Sequence, residues 1–145
     1  MSIVEMIPGR LYIGGKISSE DWIFIQSNIS AIVNLRTKPD RPPFDFSNRI
    51  MIWTPITISV APSLEWVNNL MNQLNQLFDQ GHRILIHDTL GIQRLGFVIA
   101  AFYMQKFRLN SEQALYMVRQ KKPDIKPTEN YMVLLSQYQK YLNIP

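Results

Sequence analysis

Apolar positions recur along this chain in two alternating rhythms. Short apolar runs read as strands: Leu11-Tyr12-Ile13 after the turn Pro8-Gly9-Arg10, Ser30 to Leu35, a stretch within Arg49 to Ile56 that ends near Pro55, and Arg83 to Ile86. Between them lie stretches with helical spacing. Ser18-Ser19-Glu20-Asp21 has the form of a helix start, continuing through Trp22, Ile23 and Ile25. Pro62 or Ser63 opens a long helix in which Leu64, Val67, Leu70, Leu74 and Leu77 fall on one face, and Gln80-Gly81 suits its C-terminal end. Two further helices are predicted at about Ser111 to Lys121 and Thr128 to Leu142, separated by Pro123 and Pro127.

Strands that alternate with helices imply an α/β fold with a central, mainly parallel sheet flanked by helices. With no internal repeat or linker composition, residues 1–145 are expected to form a single domain. Ligands in such folds bind at the carboxyl ends of the strands. The segment that follows the Arg83 to Ile86 strand therefore has first claim on function. It reads His87-Asp88-Thr89-Leu90-Gly91-Ile92-Gln93-Arg94, and the run Phe97 to Phe102 then reads as a helix. A strand, a tight loop and a helix N-terminus make an anion cradle, in which backbone N–H groups and the helix dipole point into the loop. Arg94 adds a planar fork of donors suited to phosphate oxygens.

This segment resembles the signature loop of the cysteine-dependent protein tyrosine phosphatases, especially their small dual-specificity branch. That loop reads His-Cys-x-x-Gly-x-x-Arg-(Ser/Thr)-Gly. His87, Gly91, Arg94 and Gly96 match it, whereas Asp88 stands at the nucleophile position and Leu95 at the hydroxyl position. Weaker likenesses span nearly the whole chain: Pro8 to Gly15 near the start, Val33-Asn34-Leu35-Arg36, and Val118 to Pro123 followed by Pro127 and Tyr131. The resemblance implies a dual-specificity-phosphatase-like fold, that of a hydrolase, with a phosphate-binding P-loop at residues 87–94. Of its catalytic set only Arg94, the transition-state arginine, is in place, and Asp88 marks a vestigial nucleophile position.

A carboxylate is a weak nucleophile, and it repels the substrate. Two unit charges about 4 Å apart repel by roughly 4 kcal/mol at an effective dielectric near 20. The simplest expectation is that Asp88 fills the cradle itself, paired with Arg94 or with loop N–H groups. An aspartyl-phosphate mechanism would need further carboxylates and a metal, and Thr89, Leu90, Ile92 and Gln93 supply neither. The general acid also looks absent: residues 56–63 contain no Asp or Glu, and Glu65 suits a helix first turn. Asp40 and Asp45, in and beside the Pro-rich loop Lys38 to Pro43, could reach the site. His87 is expected to hold the loop's shape, His82 to lie on the surface, and Trp22, Trp53 and Trp66 to serve packing.

Composition narrows the classes further. The chain contains no cysteine, which excludes disulfides, thiolate metal sites and cysteine nucleophiles. The net charge of +4 would attract phosphorylated or otherwise anionic partners, but most of the Lys and Arg read as an ordinary solvated surface. The densest basic cluster, Gln120-Lys121-Lys122-Pro123, is short and lacks the interleaved aromatics of a nucleic-acid platform. No apolar run reaches membrane-spanning length, and no signal-peptide pattern is present. The expectation is a cytoplasmic, catalytically inactive phosphatase-like domain, a pseudophosphatase, with no metal and no cofactor. It would act by binding a phosphorylated or anionic protein, with no nucleic-acid or membrane partner, and its oligomeric state is left open. The alternative is a phosphoprotein or phosphoester phosphatase, weakly active or inactivated by an engineered Cys-to-Asp change at position 88.

Overall fold

A computed structural model describes residues 2–145. In chain order the elements are β1 (Val4–Ile7), β2 (Leu11–Gly14), α1 (Ser19–Asn28), β3 (Ala31–Asn34), β4 (Ile50–Trp53), α2 (Leu64–Asp79), β5 (Ile84–His87), α3 (Arg94–Phe107), α4 (Ser111–Lys121) and α5 (Glu129–Tyr141). The strands form one sheet in the order β1-β2-β5-β3-β4. Three pairings are parallel; the fourth, β1 with β2, is antiparallel. The expectation of a mainly parallel sheet flanked by helices holds.

The sequence reading contained no β1. Its four residues alternate poorly in burial, so no two-residue period marks them. They earn strand geometry by hairpin pairing with β2 through the Pro8-Gly9 turn, where Gly9 adopts φ +68.

Side-chain alternation divides the sheet into two faces. Tyr12, Leu85 and Ile32 lie side by side in register and face α1, whose Ile25 is fully buried against them. Leu11, Ile13, Ile84, Ile86, Ala31 and Val33 face the other way, onto α2, α3, α4 and α5. Burying each of Ile84, Leu85 and Ile86 contributes about 1.5–3 kcal/mol, which fixes β5 as the central strand. With α1 on one face and α3 on the other, the connections diverge at the C-terminal end of β5, the place where folds of this kind hold their ligands.

Local signals set the helix ends. Ser18 and Asp21 form a capping box on α1, and Ser63 accepts from the Trp66 N–H to cap α2. Gly81 follows α2 at φ +85, the left-handed conformation expected after a C-cap. Among the described residues, no helix is long and apolar enough to cross a membrane.

Candidate functional site

β5 delivers His87 to the middle of the sheet edge, and residues 88–93 turn back tightly before α3 begins. Gly91 takes φ +73, a conformation that disfavours a side chain. Gly15, at the end of β2, packs so closely that an added Cβ would lie 2.9 Å from the Thr89 carbonyl oxygen. The loop is then stitched to its neighbours: Lys16 N–H donates to Thr89 O and Lys126 N–H to Ile92 O.

Asp88 is 2% exposed and spends its carboxylate on this loop. Oδ1 accepts the Gly91 N–H at 2.5 Å, and Oδ2 accepts the Leu95 N–H at 2.9 Å. Gln93, the residue at the formal N-cap of α3, makes no side-chain capping bond. Asp88 therefore caps α3 from a distance, with its negative charge at the positive end of the helix dipole.

Of the two pairings expected for Asp88, the structure shows the one with loop N–H groups. Arg94 takes other partners. Its Nη1 donates to Ile56 O at 3.0 Å and to Leu35 O at 3.5 Å, and Nη2 donates to Thr89 Oγ1 at 3.2 Å. Its Nε is buried with no partner. Carbonyls from two strand-end loops and the Thr89 hydroxyl, rather than Asp88, hold the guanidinium, and its Nε edge is left without a partner.

His87 is fully buried beneath the loop. Its Nδ1 lies 3.2 Å from Gly15 O, and its Nε2 lies 2.6 Å from Asp40 Oδ2. A carbonyl only accepts, so Nδ1–H donates to Gly15 O, and the short contact between Nε2 and Oδ2 is a hydrogen bond whose proton lies between the two side chains. Asp40, whose side chain is 3% exposed, does reach the site, but it is turned onto the histidine beneath the loop. Asp45 instead accepts the Ser47 N–H in its own turn. Glu65 is exposed in the first turn of α2. His82, expected on the surface, is half-buried because its Nδ1 bonds Ser30 Oγ at 2.9 Å.

Of the remaining loop side chains, Thr89 and Leu90 are exposed, and Ile92 and Gln93 are half-buried. The Leu95 side chain is fully buried in the core, so no hydroxyl faces the loop at that position. Gly96 allows α3 to approach the segment before α5: a Cβ there would meet Ile125 Cγ2 at 3.0 Å. Among the described residues, no three His, Asp or Glu side chains converge as a metal ion would require. The buried Tyr131 closes the back of the site by donating to Thr57 O at 2.6 Å. Burial pushes its phenol up to about 12, against the opposing pull of the Arg94 guanidinium.

Residues 11–141 match the profile of the dual specificity phosphatase catalytic domain. The chain belongs to this family. Among curated relatives of this phosphatase-family chain, human dual specificity protein phosphatase 8 is 22% identical over 147 residues, covering 99% of the chain but 23% of the relative. The chain thus spans less than a quarter of that relative's length. The solved structure of human DUSP28 superposes with a TM-score of 0.85 at 18% identity, covering 99% of this chain and 96% of that one. The human tyrosine phosphatase-like serine/threonine/tyrosine-interacting protein superposes with a TM-score of 0.80 at 18% identity, covering 96% of both. These likenesses establish the dual-specificity fold.

Local pattern identified the loop of this family member and named Asp40 as a residue that could reach it, but it missed the pairing of Asp40 with His87 and the close packing of Gly15. The only hint of Asp40 was a carboxylate in a loop between two strands. The 47 residues separating it from its partner His87 put the pairing beyond any local signal.

Proposed function

We propose that this chain is a single phosphatase-like domain without phosphatase activity, and that it acts by binding. In this reading Asp88 holds the position of the family's nucleophilic cysteine, and Leu95 that of the hydroxyl that assists it. The observation that carries the reading is the Asp88 carboxylate itself. It already occupies the Gly91 and Leu95 N–H groups that would otherwise face an incoming phosphate. A phosphate dianion brought beside it meets repulsion of about 4 kcal/mol per unit charge at about 4 Å. Leaving-group protonation lacks a donor as well, because residues 56–63 carry no carboxyl group and Asp40 is committed to His87. A neighbour by fold bears a name that joins phosphatase-like and interacting, a combination this site also fits.

Purified protein is expected to release no phosphate from p-nitrophenyl phosphate or phosphopeptides above a buffer control, with or without magnesium. Asp88→Cys should then form a phosphoenzyme slowly and turn over poorly, because Leu95 and the missing acid handicap both leaving steps. Turnover by the native protein that Asp88→Ala abolishes would overturn the proposal and establish a carboxylate nucleophile.

A further inference from the structure

The rim of the closed cradle carries chemistry that neither the loop nor the fold uses. Ile58, Val60 and Leu90 are 41%, 70% and 66% exposed. One exposed aliphatic residue is ordinary, but several on adjoining loops, rimmed by charge, mark a contact surface. These loops do adjoin. The Arg94 guanidinium touches both Ile56 O and Thr89 Oγ1, so the segments bearing Ile58 and Leu90 flank one side chain. Tyr131 and Asn130 grip Thr57 O and Ile58 O from α5, which holds the first segment in place before any partner arrives.

Four cations stand on the segments around these residues. Lys16 and Lys126 are exposed, and their backbones are bonded to the loop at Thr89 O and Ile92 O. Lys38 and Arg41, also exposed, stand on either side of Asp40, which is itself anchored to His87. None of the four makes an ion pair among the described residues. Three nearby carboxylates are turned inward or taken, Asp88 by loop N–H groups, Asp40 by His87 and Asp124 by Lys122, whereas Asp45 and Glu129 stay exposed.

We infer that this rim docks an acidic, unphosphorylated peptide segment, with aliphatic side chains seated against Leu90, Ile58 and Val60 and flanking carboxylates held by Lys16, Lys126, Lys38 and Arg41. The inference rests on the proposal that the domain is inactive, and it adds the class of partner. A phosphate group is refused by the resident Asp88 carboxylate, whereas single carboxylates at the rim can meet Lys16, Lys126, Lys38 and Arg41. Single-stranded RNA fits less well, because the three exposed rim side chains are aliphatic and offer no stacking surface.

The test is fluorescence anisotropy with a short labelled peptide in which a Leu-Ile pair is flanked on both sides by Glu and Asp. Binding should fall about tenfold when the pair becomes Ser-Ser, when the acids become Gln and Asn, or when the protein carries Leu90→Ser with Ile58→Ser. Lys16→Glu with Lys126→Glu should weaken it similarly, and added salt should weaken it in the native protein. All these substitutions are at exposed positions. Tighter binding of the same peptide with phosphotyrosine replacing the Leu-Ile pair, or of oligouridine, overturns the inference. So does failure of the acidic peptide to bind. Phosphate release measured on the same preparation separates the two proposals. Turnover brings down both, whereas no turnover together with no peptide binding brings down this one alone.

Discussion

Removing the Asp88 carboxylate should unfold the loop's hydrogen bonding rather than relieve it. The carboxylate is 2% exposed, and each oxygen accepts one backbone N–H, from Gly91 at 2.5 Å and Leu95 at 2.9 Å. Asp88→Ala leaves both donors without an acceptor, and a buried donor left unmade costs about 1–3 kcal/mol. It also removes the capping charge of α3, an effect of about 0.5–2 kcal/mol. Water entering the vacated space offsets part of this, giving a net loss of about 2–4 kcal/mol. For a domain of this size, each kcal/mol shifts the midpoint by about 3 °C, so Asp88→Ala should melt roughly 6–12 °C below the native protein. Asp88→Asn keeps one acceptor but sets an NH2 against an N–H, and should fall between the two. Thr89→Ala, which removes the exposed hydroxyl that accepts one bond from Arg94 Nη2, should cost less than about 1 kcal/mol. Circular dichroism melts of the four proteins decide the matter. An Asp88→Ala melt equal to or above the native one would refute the reasoning and make Asp88 an ill-fitting guest in its loop.

The Asp40–His87 pair is buried on both sides, so Asp40→Ala should destabilise by about 3–5 kcal/mol in urea titrations; a loss under about 1 kcal/mol would deny the pair any structural role. Asp21 is fully buried, which alone would raise its carboxyl, but hydrogen bonds from the Ser18 N–H, the Ser2 hydroxyl and their neighbours outweigh this and hold it below the ordinary 3.8. A depressed carboxyl contributes stability above its unfolded value that is lost as pH falls through the folded value, so urea midpoints should drop below about pH 4, and Asp21→Asn should flatten that drop. Burial raises Tyr131 and Tyr138 from 10.0 to about 12, so their stabilising contribution is complete below pH 10 and lost as pH rises through about 12. Burial raises Tyr103 as well, so phenolate absorbance should show a late-titrating set that includes these three, and Tyr131→Phe should remove one member of it.

What could be read from the chain alone followed how local each signal is. The β5–loop–α3 unit is contiguous, with an apolar run, a turn glycine and a second apolar run, so both its form and its place at the sheet edge were legible. The α4 boundaries, Ser111 to Lys121, were legible for the same reason, with Asn110 as its cap. β1 was not, because a strand of four residues that pairs at an edge shows too little period. Within the site, residue types were readable but their partners were not. Arg94 was recognisable as a donor fork, yet its acceptors come from Leu35 and Ile56, 59 and 38 residues away. Asp88 could have turned toward Arg94 or toward the loop; the tight backbone turn at Gly91 decides it by presenting N–H groups closer to hand.

The most direct test of the central claim, that this loop carries its own anion in place of a phosphate, is calorimetric titration with tungstate or phosphate. The native protein should bind weakly. Asp88→Ser removes the competing charge while leaving Arg94 and the loop donors, and binding should tighten at least tenfold, which needs only ~1.4 kcal/mol of relieved repulsion. Adding Arg94→Ala to that variant should abolish the gain. Tight binding by the native protein, unchanged in Asp88→Ser, would contradict the account.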